Sequence, residues 1–232
     1  MEPNIAIGFL WFVAFLFSTT VHEAMHAFAA WKGGDPTAYE GGQVSLSPLP
    51  HIKREPIGMV VVPLITALTQ GWAIGWASAP YDPHWASRHP GRAAVMSAAG
   101  PAGNLMIALV AFVLLKAGLA SGYFMPPESV RFEHLVAVAD GGPSFAANLL
   151  SIFLMLNVLL AAFNMLPLPP LDGGAILEYF LPAHLSEKLQ EWSRTPMFQM
   201  LGLLVAWRIF PSIASPLFAL VLKVLHPGES YG

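Results

Sequence analysis

Ile5 to Trp31 reads IAIGFLWFVAFLFSTTVHEAMHAFAAW, an apolar run broken only by Ser18, Thr19, Thr20 and the cluster His22-Glu23-Ala24-Met25-His26. Taken as residues 4–31, it makes roughly 40 Å of helix, more than the ~30 Å of a bilayer's hydrocarbon core. Lys32-Gly33-Gly34-Asp35-Pro36 closes it, with glycine past the end and proline beyond. Two imidazoles four residues apart stack on one helix face and can converge on one cation. Glu23 stands beside them, able to reach a metal-activated water without being a ligand. The alternative is a helix whose two histidines and glutamate pair with one another. Three ionisable groups inside a membrane segment are costly and point to function by default, so metal binding is preferred.

Working outward, the 232 residues suffice for one compact domain, 1–232. The chain is 55% hydrophobic and only 11% charged. Soluble domains carry about 25% charged residues, so the composition points into a membrane. The net charge of −3 and the lack of any basic run speak against nucleic-acid binding. With no cysteine, disulfides, thiolate ligands and a cysteine nucleophile are all excluded. The N-terminus has neither a basic leader nor a small-residue cleavage site, so the first apolar run is expected to be retained.

Residues 93–117, 146–168 and 197–225 are three further apolar spans, the last disturbed by Arg208 and Pro211. Residues 57–78 are apolar but broken by Pro63, Gly71 and Gly75, and are expected to dip in and return. Residues 39–47 alternate at strand period around Gly41-Gly42 and suggest a short hairpin or edge strand. The expected fold is therefore an all-α polytopic membrane protein with a small membrane-associated β element. With 57–78 re-entrant, Lys32, Lys53, Arg54, Arg88, Arg92, Lys188 and Arg194 share one side, against Lys116, Arg131 and Lys223. The positive-inside rule then sets the metal-side loops in the cytoplasm of a multi-pass cell-membrane protein.

A catalytic zinc takes three protein ligands and keeps one position open. Asp172 is the best third candidate, standing after Pro167, Pro169 and Pro170 at the mouth of a new apolar stretch. The same Asp172-Gly173 pair also suits a turn or a helix N-cap. The other aspartates, Asp35, Asp82 and Asp140, lack a comparable setting.

Three ordered motifs are similar to the site-2 protease family of intramembrane metalloproteases: His22-Glu23-Ala24-Met25-His26, Gly100-Pro101-Ala102-Gly103-Asn104, and Phe163-Asn164 running on to Pro170-Leu171-Asp172-Gly173-Gly174. The likeness covers about residues 18 to 182 and is to small members without PDZ or CBS domains. It implies that His22, His26 and Asp172 bind one Zn2+, that Glu23 is the catalytic base, and that Asn104 and Asn164 hold substrate or its oxyanion. Helix–helix hydrogen bonding is the other reading of both asparagines; Asn157, one heptad before Asn164, reads as structural. The resemblance also implies a re-entrant β element, matched to 39–47, and a substrate that is a transmembrane or membrane-proximal protein in the lipid bilayer. Lys53-Arg54-Glu55 departs from the family, which often has Asp-Pro after His-Ile, and leaves that loop's conformation open.

The remaining histidines, among them His51 and His226, read as solvated or interfacial. Trp72, Trp76 and Trp85 read as anchors at a membrane boundary. Two competing functions are a membrane metal transporter using the same cluster and an inactive relative that only binds membrane helices. A transporter should carry a repeat or paired broken segments, and the sequence has neither.

Overall fold

The computed structural model describes residues 4–138, 144–229 and 231; Asp140 lies outside them. The first helix, α1, runs Ile5–Lys32. The Asn4 side chain starts it, accepting from the amides of Ala6 and Ile7 at 3.0 and 3.3 Å. Thr19 and Thr20 are no obstacle to an apolar setting, because their hydroxyls donate to the Phe15 and Leu16 carbonyls of the preceding turn. Gly33 caps the far end and Gly34, at φ 98°, turns the chain away.

Two short helices follow, α2 (Thr37–Glu40) and α3 (Pro48–Arg54). The strand expected over 39–47 is not there. Gly41 and Gly42 instead close the α2 turn, with the Gln43 amide donating to the Ala38 carbonyl. The small antiparallel pair is β1 (Phe124–Met125) with β2 (Ala137–Val138), far along the chain from 39–47.

Residues 57–70 form one continuous helical stretch, a π turn over Ile57–Val61 leading into α4 (Val62–Gln70). The wider turn moves the Met59 carbonyl clear of the Pro63 ring, which has no N–H to offer it. Fourteen residues make about 21 Å of helix, short of a ~30 Å core. Gly71, at φ 80°, reverses the chain, and a non-helical return follows. It is tied back by Ile74 N–H to the Thr66 hydroxyl (3.0 Å) and Trp76 N–H to the Gly58 carbonyl (3.1 Å). A Cβ on Gly75 would lie 2.2 Å from the Gly58 oxygen, so only glycine permits this doubling back.

The centre of the bundle is α6 (Pro90–Ala120), reached through α5 (Pro83–Arg88). It packs on α1, on α7 (Phe145–Asn164) and on α8 (Asp172–Phe180). The chain ends in α9 (Ala183–Ser193), α10 (Pro196–Ile209) and α11 (Pro211–Leu225), the last two meeting at 47° where Pro211 interrupts the helix. Helices α1, α6 and α7 are long and apolar enough to cross a bilayer, and α10 with α11 passes the same test only when the bent pair is taken together. Leu105, Leu109, Val110, Val113 and Leu114 face outward from α6, a surface that lipid satisfies and water does not. Together these features fit a multi-pass membrane protein.

Outside the spans, Asp35 is fully buried and organises the turn after α1. It accepts from the Thr37 amide (3.0 Å), the Thr37 hydroxyl (2.5 Å) and the Asp82 amide (2.8 Å). Burial alone would raise its carboxyl, but these three donors together hold it below the usual carboxylate range. Two histidines read as solvated are buried staples instead. His51 reaches the Ser45 carbonyl through Nε2 and His226 reaches that of Leu135. Trp85 is likewise buried rather than anchored at a membrane surface, with its indole N–H on the Gly33 carbonyl.

Candidate metal centre

His22 and His26 sit one turn apart in the second half of α1, both buried. Asp172 reaches them as the first residue of α8, where Pro167 to Pro170 have taken the chain out of α7 and around. Close packing fixes that corner. A Cβ on Gly173 would lie 2.3 Å from the Met165 oxygen, and one on Gly174 would be 2.9 Å from the Leu168 carbonyl carbon. The Asp172 carboxylate then stands with one oxygen 3.2 Å from His22 Nε2 and the other 3.2 Å from His26 Nε2. The two Nε2 atoms are 3.0 Å apart.

The opposite edge of each imidazole decides what this triangle can hold. His26 Nδ1 lies 2.7 Å from the Met96 carbonyl, which can only accept, so Nδ1 carries the proton and donates. His22 Nδ1 lies 2.6 Å from Asn104 Oδ1 and donates in the same way. Both Nε2 atoms therefore present lone pairs, toward each other and toward a carboxylate. A proton could bridge two of these three donors at a time, whereas a metal ion serves all three. Tetrahedral ligands 2.0–2.1 Å from zinc stand about 3.3 Å apart, close to the separations found. Two imidazoles and a carboxylate, with no thiolate, match a catalytic zinc site that keeps one position open.

As a metal ligand the Asp172 side chain would serve in its carboxylate form, just as the two imidazoles would serve through unprotonated Nε2. Glu23, also buried, lines the same cavity of about 450 Å³. Gly100 of α6 closes over the ligands, and a Cβ there would lie 2.3 Å from His26 Nε2 and 2.7 Å from His22 Cε1.

Of the two asparagines matched by the resemblance, the fold brings only Asn164 to the cavity. It lines the wall at the last residue of α7 and donates to the Leu160 carbonyl at 3.0 Å. Asn104 is fully buried behind His22, and both amide hydrogens are engaged, by Asn157 Oδ1 (2.8 Å) and the Ser18 carbonyl (3.4 Å). In this arrangement neither amide hydrogen is free for a substrate, and Asn104 stands behind His22 rather than on the cavity wall.

Sequence reasoning missed much of the cavity wall. Ala77, Ser78 and Ala79 line it as part of the non-helical return, and among the described residues their amides have no backbone partner. The departure at Lys53-Arg54-Glu55 braces this stretch: Arg54 donates to the Ser78 hydroxyl (3.2 Å), which donates to Glu55 (2.8 Å). Tyr81, Glu178, Gln190 and Arg194 form the polar mouth. Burial raises the Glu178 carboxyl, against a Gln190 hydrogen bond and the Arg194 charge. No motif marks these residues; only the fold gathers them.

A family model described as Peptidase family M50 matches residues 10–206. A protein of Bacillus subtilis (strain 168), named "Putative zinc metalloprotease YwhC", is 34% identical over 180 residues, 77% of this chain and 72% of its own length. One from Mycolicibacterium smegmatis (strain ATCC 700084 / mc(2)155), named "Putative zinc metalloprotease Rip2", is 26% identical over 174 residues, 75% of this chain. Its namesake in Mycobacterium tuberculosis (strain ATCC 25618 / H37Rv) is 30% identical over 163 residues, 70% of this chain. The matched region spans only 58% and 54% of these two mycobacterial relatives. No solved structure matches the chain.

Proposed function

The chain belongs to peptidase family M50, the site-2 type of zinc metalloprotease, and from that membership we propose that it hydrolyses peptide bonds of transmembrane or membrane-proximal proteins. The observation that carries this reading is the meeting of three electron-pair donors, His22 Nε2, His26 Nε2 and the Asp172 carboxylate, in a buried cavity that Glu23 also lines. Zinc held by these three supplies Lewis acidity, lowering the pKa of a water toward about 7 and polarising a carbonyl.

The chain's own residues do the rest. Glu23 takes the proton from the attacking water and returns it to the leaving amine. Asn164 offers its side-chain amide to the developing oxyanion from the cavity wall. A helical substrate hides its carbonyls, so it has to unwind before attack. The stretch Ala77–Ala79, whose amides have no backbone partner among the described residues, offers an edge on which an unwound segment can pair as an added strand. The distribution of lysine and arginine supports a cytoplasmic active-site side.

The substrate class is tested by reconstituting the zinc-loaded protein in liposomes with a single-span membrane protein. Cleavage is expected within the span or a few residues from its end. It should accelerate when a helix-breaking residue is placed there. Equal rates on a soluble peptide of the same sequence, with or without membrane, would overturn the membrane-substrate reading.

A further inference from the structure

We propose that Asn157 and Asn104 form a hydrogen-bonded relay that fixes the proton of His22 on Nδ1, making Asn104 a positioning residue for the metal ligand. The proposal deepens the reading of His22 as a ligand, and rests on it.

The relay begins at an atom with no choice. The Phe153 carbonyl, on α7, can only accept, and Asn157 Nδ2 donates to it at 2.8 Å. The same Nδ2 gives its second hydrogen to the Ser18 hydroxyl at 2.9 Å. Asn157 Oδ1 is thereby turned toward Asn104 Nδ2, 2.8 Å away on α6. The second Asn104 hydrogen leans on the Ser18 carbonyl at 3.4 Å, another obligate acceptor. Both ends of Asn104 are then assigned, and its Oδ1 faces His22 Nδ1 at 2.6 Å. An acceptor there admits only a protonated Nδ1, which leaves Nε2 bare for a metal.

Ser18, Asn104 and Asn157 are buried on three different helices, α1, α6 and α7. All three are shut off from the solvent-accessible surface, so a lost partner is not replaced by bulk water. Flipping either amide would bring oxygen against oxygen or N–H against N–H, so the chain of bonds is directional. An imidazole with no such partner mixes its two tautomers, and the one protonated on Nε2 cannot bind a cation through that atom. Groups that orient a ligating histidine from behind typically account for about 10- to 100-fold in metal affinity.

The test compares three proteins, each purified in detergent with its helical content checked: the wild type, Asn104→Leu and Asn104→Asp. Leucine has nearly the shape of asparagine without its acceptor. A buried aspartate keeps an oxygen toward His22 and, when protonated, an O–H toward Asn157. Zinc affinity, measured by competition with a chelator, should fall about 10- to 100-fold in Asn104→Leu and be largely restored in Asn104→Asp. In parallel, 15N spectra of the zinc-free protein with neutral imidazoles should show His22 protonated on Nδ1 in the wild type. The Nε2–H form should appear in Asn104→Leu.

Unchanged affinity in Asn104→Leu, no recovery in Asn104→Asp, or a wild-type His22 protonated on Nε2 would each overturn the relay. If Asn104→Leu does not fold, the wild-type spectrum and the aspartate variant still decide. Zinc retained in His22→Ala would instead overturn the ligand assignment, whereas the zinc-free spectra judge the relay by itself.

Discussion

A Glu23→Gln variant is expected to bind zinc as the wild type does and to leave its substrate uncut. Glutamine keeps the size and hydrogen-bonding capacity of the side chain but cannot take a proton, so only the base is removed. General acid–base catalysis typically contributes about 10²- to 10⁴-fold, and the loss should fall at the upper end if one carboxylate serves both proton transfers. His22, His26 and Asp172 are untouched, so zinc content should stay at the wild-type level. The result also separates the competing functions. A transporter has no need of a base beside its ligands, and an inactive relative would show no wild-type cleavage to lose. A zinc-loaded Glu23→Gln protein that cuts at the wild-type rate would remove Glu23 from the chemistry.

Adding one methyl group to Gly100 is expected to impair both zinc binding and cleavage without replacing any ligand. The new Cβ would lie 2.3 Å from His26 Nε2, 2.5 Å from His26 Cε1 and 2.7 Å from His22 Cε1. Real carbon–nitrogen contacts need over 3 Å, so the rings or the helices must part by roughly 1 Å, a displacement that costs about 100-fold at a reacting centre. The imidazoles cannot simply rotate away, because His22 Nδ1 is held by Asn104 and His26 Nδ1 by the Met96 carbonyl. Gly100→Ala should therefore lose both bound zinc and cleavage. Gly103→Ala, one turn along, is the comparison: its Cβ would first meet Met25 Cγ at 2.9 Å, so a methionine side chain rather than a metal ligand has to give way. A Gly100→Ala protein with full zinc and full activity would contradict the packing described for α1 against α6.

The parts legible from sequence are those where the physics is local. The i, i+4 histidines announce a shared ligand face, and long apolar runs announce helices because a bilayer leaves the backbone no other partner. Boundaries follow the same logic. The run assigned to 146–168 ends as a helix at Asn164, since Pro167, Pro169 and Pro170 cannot continue it. The run assigned to 197–225 is two helices, bent 47° at Pro211.

What stayed hidden depends on partners distant in the chain. Residues 39–47 alternate like a strand, but a strand needs a neighbour, and the fold supplies none there while pairing 124–125 with 137–138. Asn104 carries a motif that marks its nearness to the site, yet no spacing says on which side of His22 its amide falls. Met96 contributes only a backbone carbonyl, which no residue type can signal. Asp172 lies between these cases. Its prolines and glycines show that the chain must turn, and only the folded corner brings the carboxylate within 3.2 Å of both imidazoles.

The most direct test is a count of zinc per chain in the purified wild type and in Asp172→Ala, beside an Asp82→Ala control. Asp82 caps α5, its side chain accepting from the His84 amide at 2.8 Å, and it is not one of the three metal-site residues. One zinc per chain is expected in the wild type and in Asp82→Ala, with little or none in Asp172→Ala. Full zinc in Asp172→Ala would contradict a metal shared by His22, His26 and Asp172.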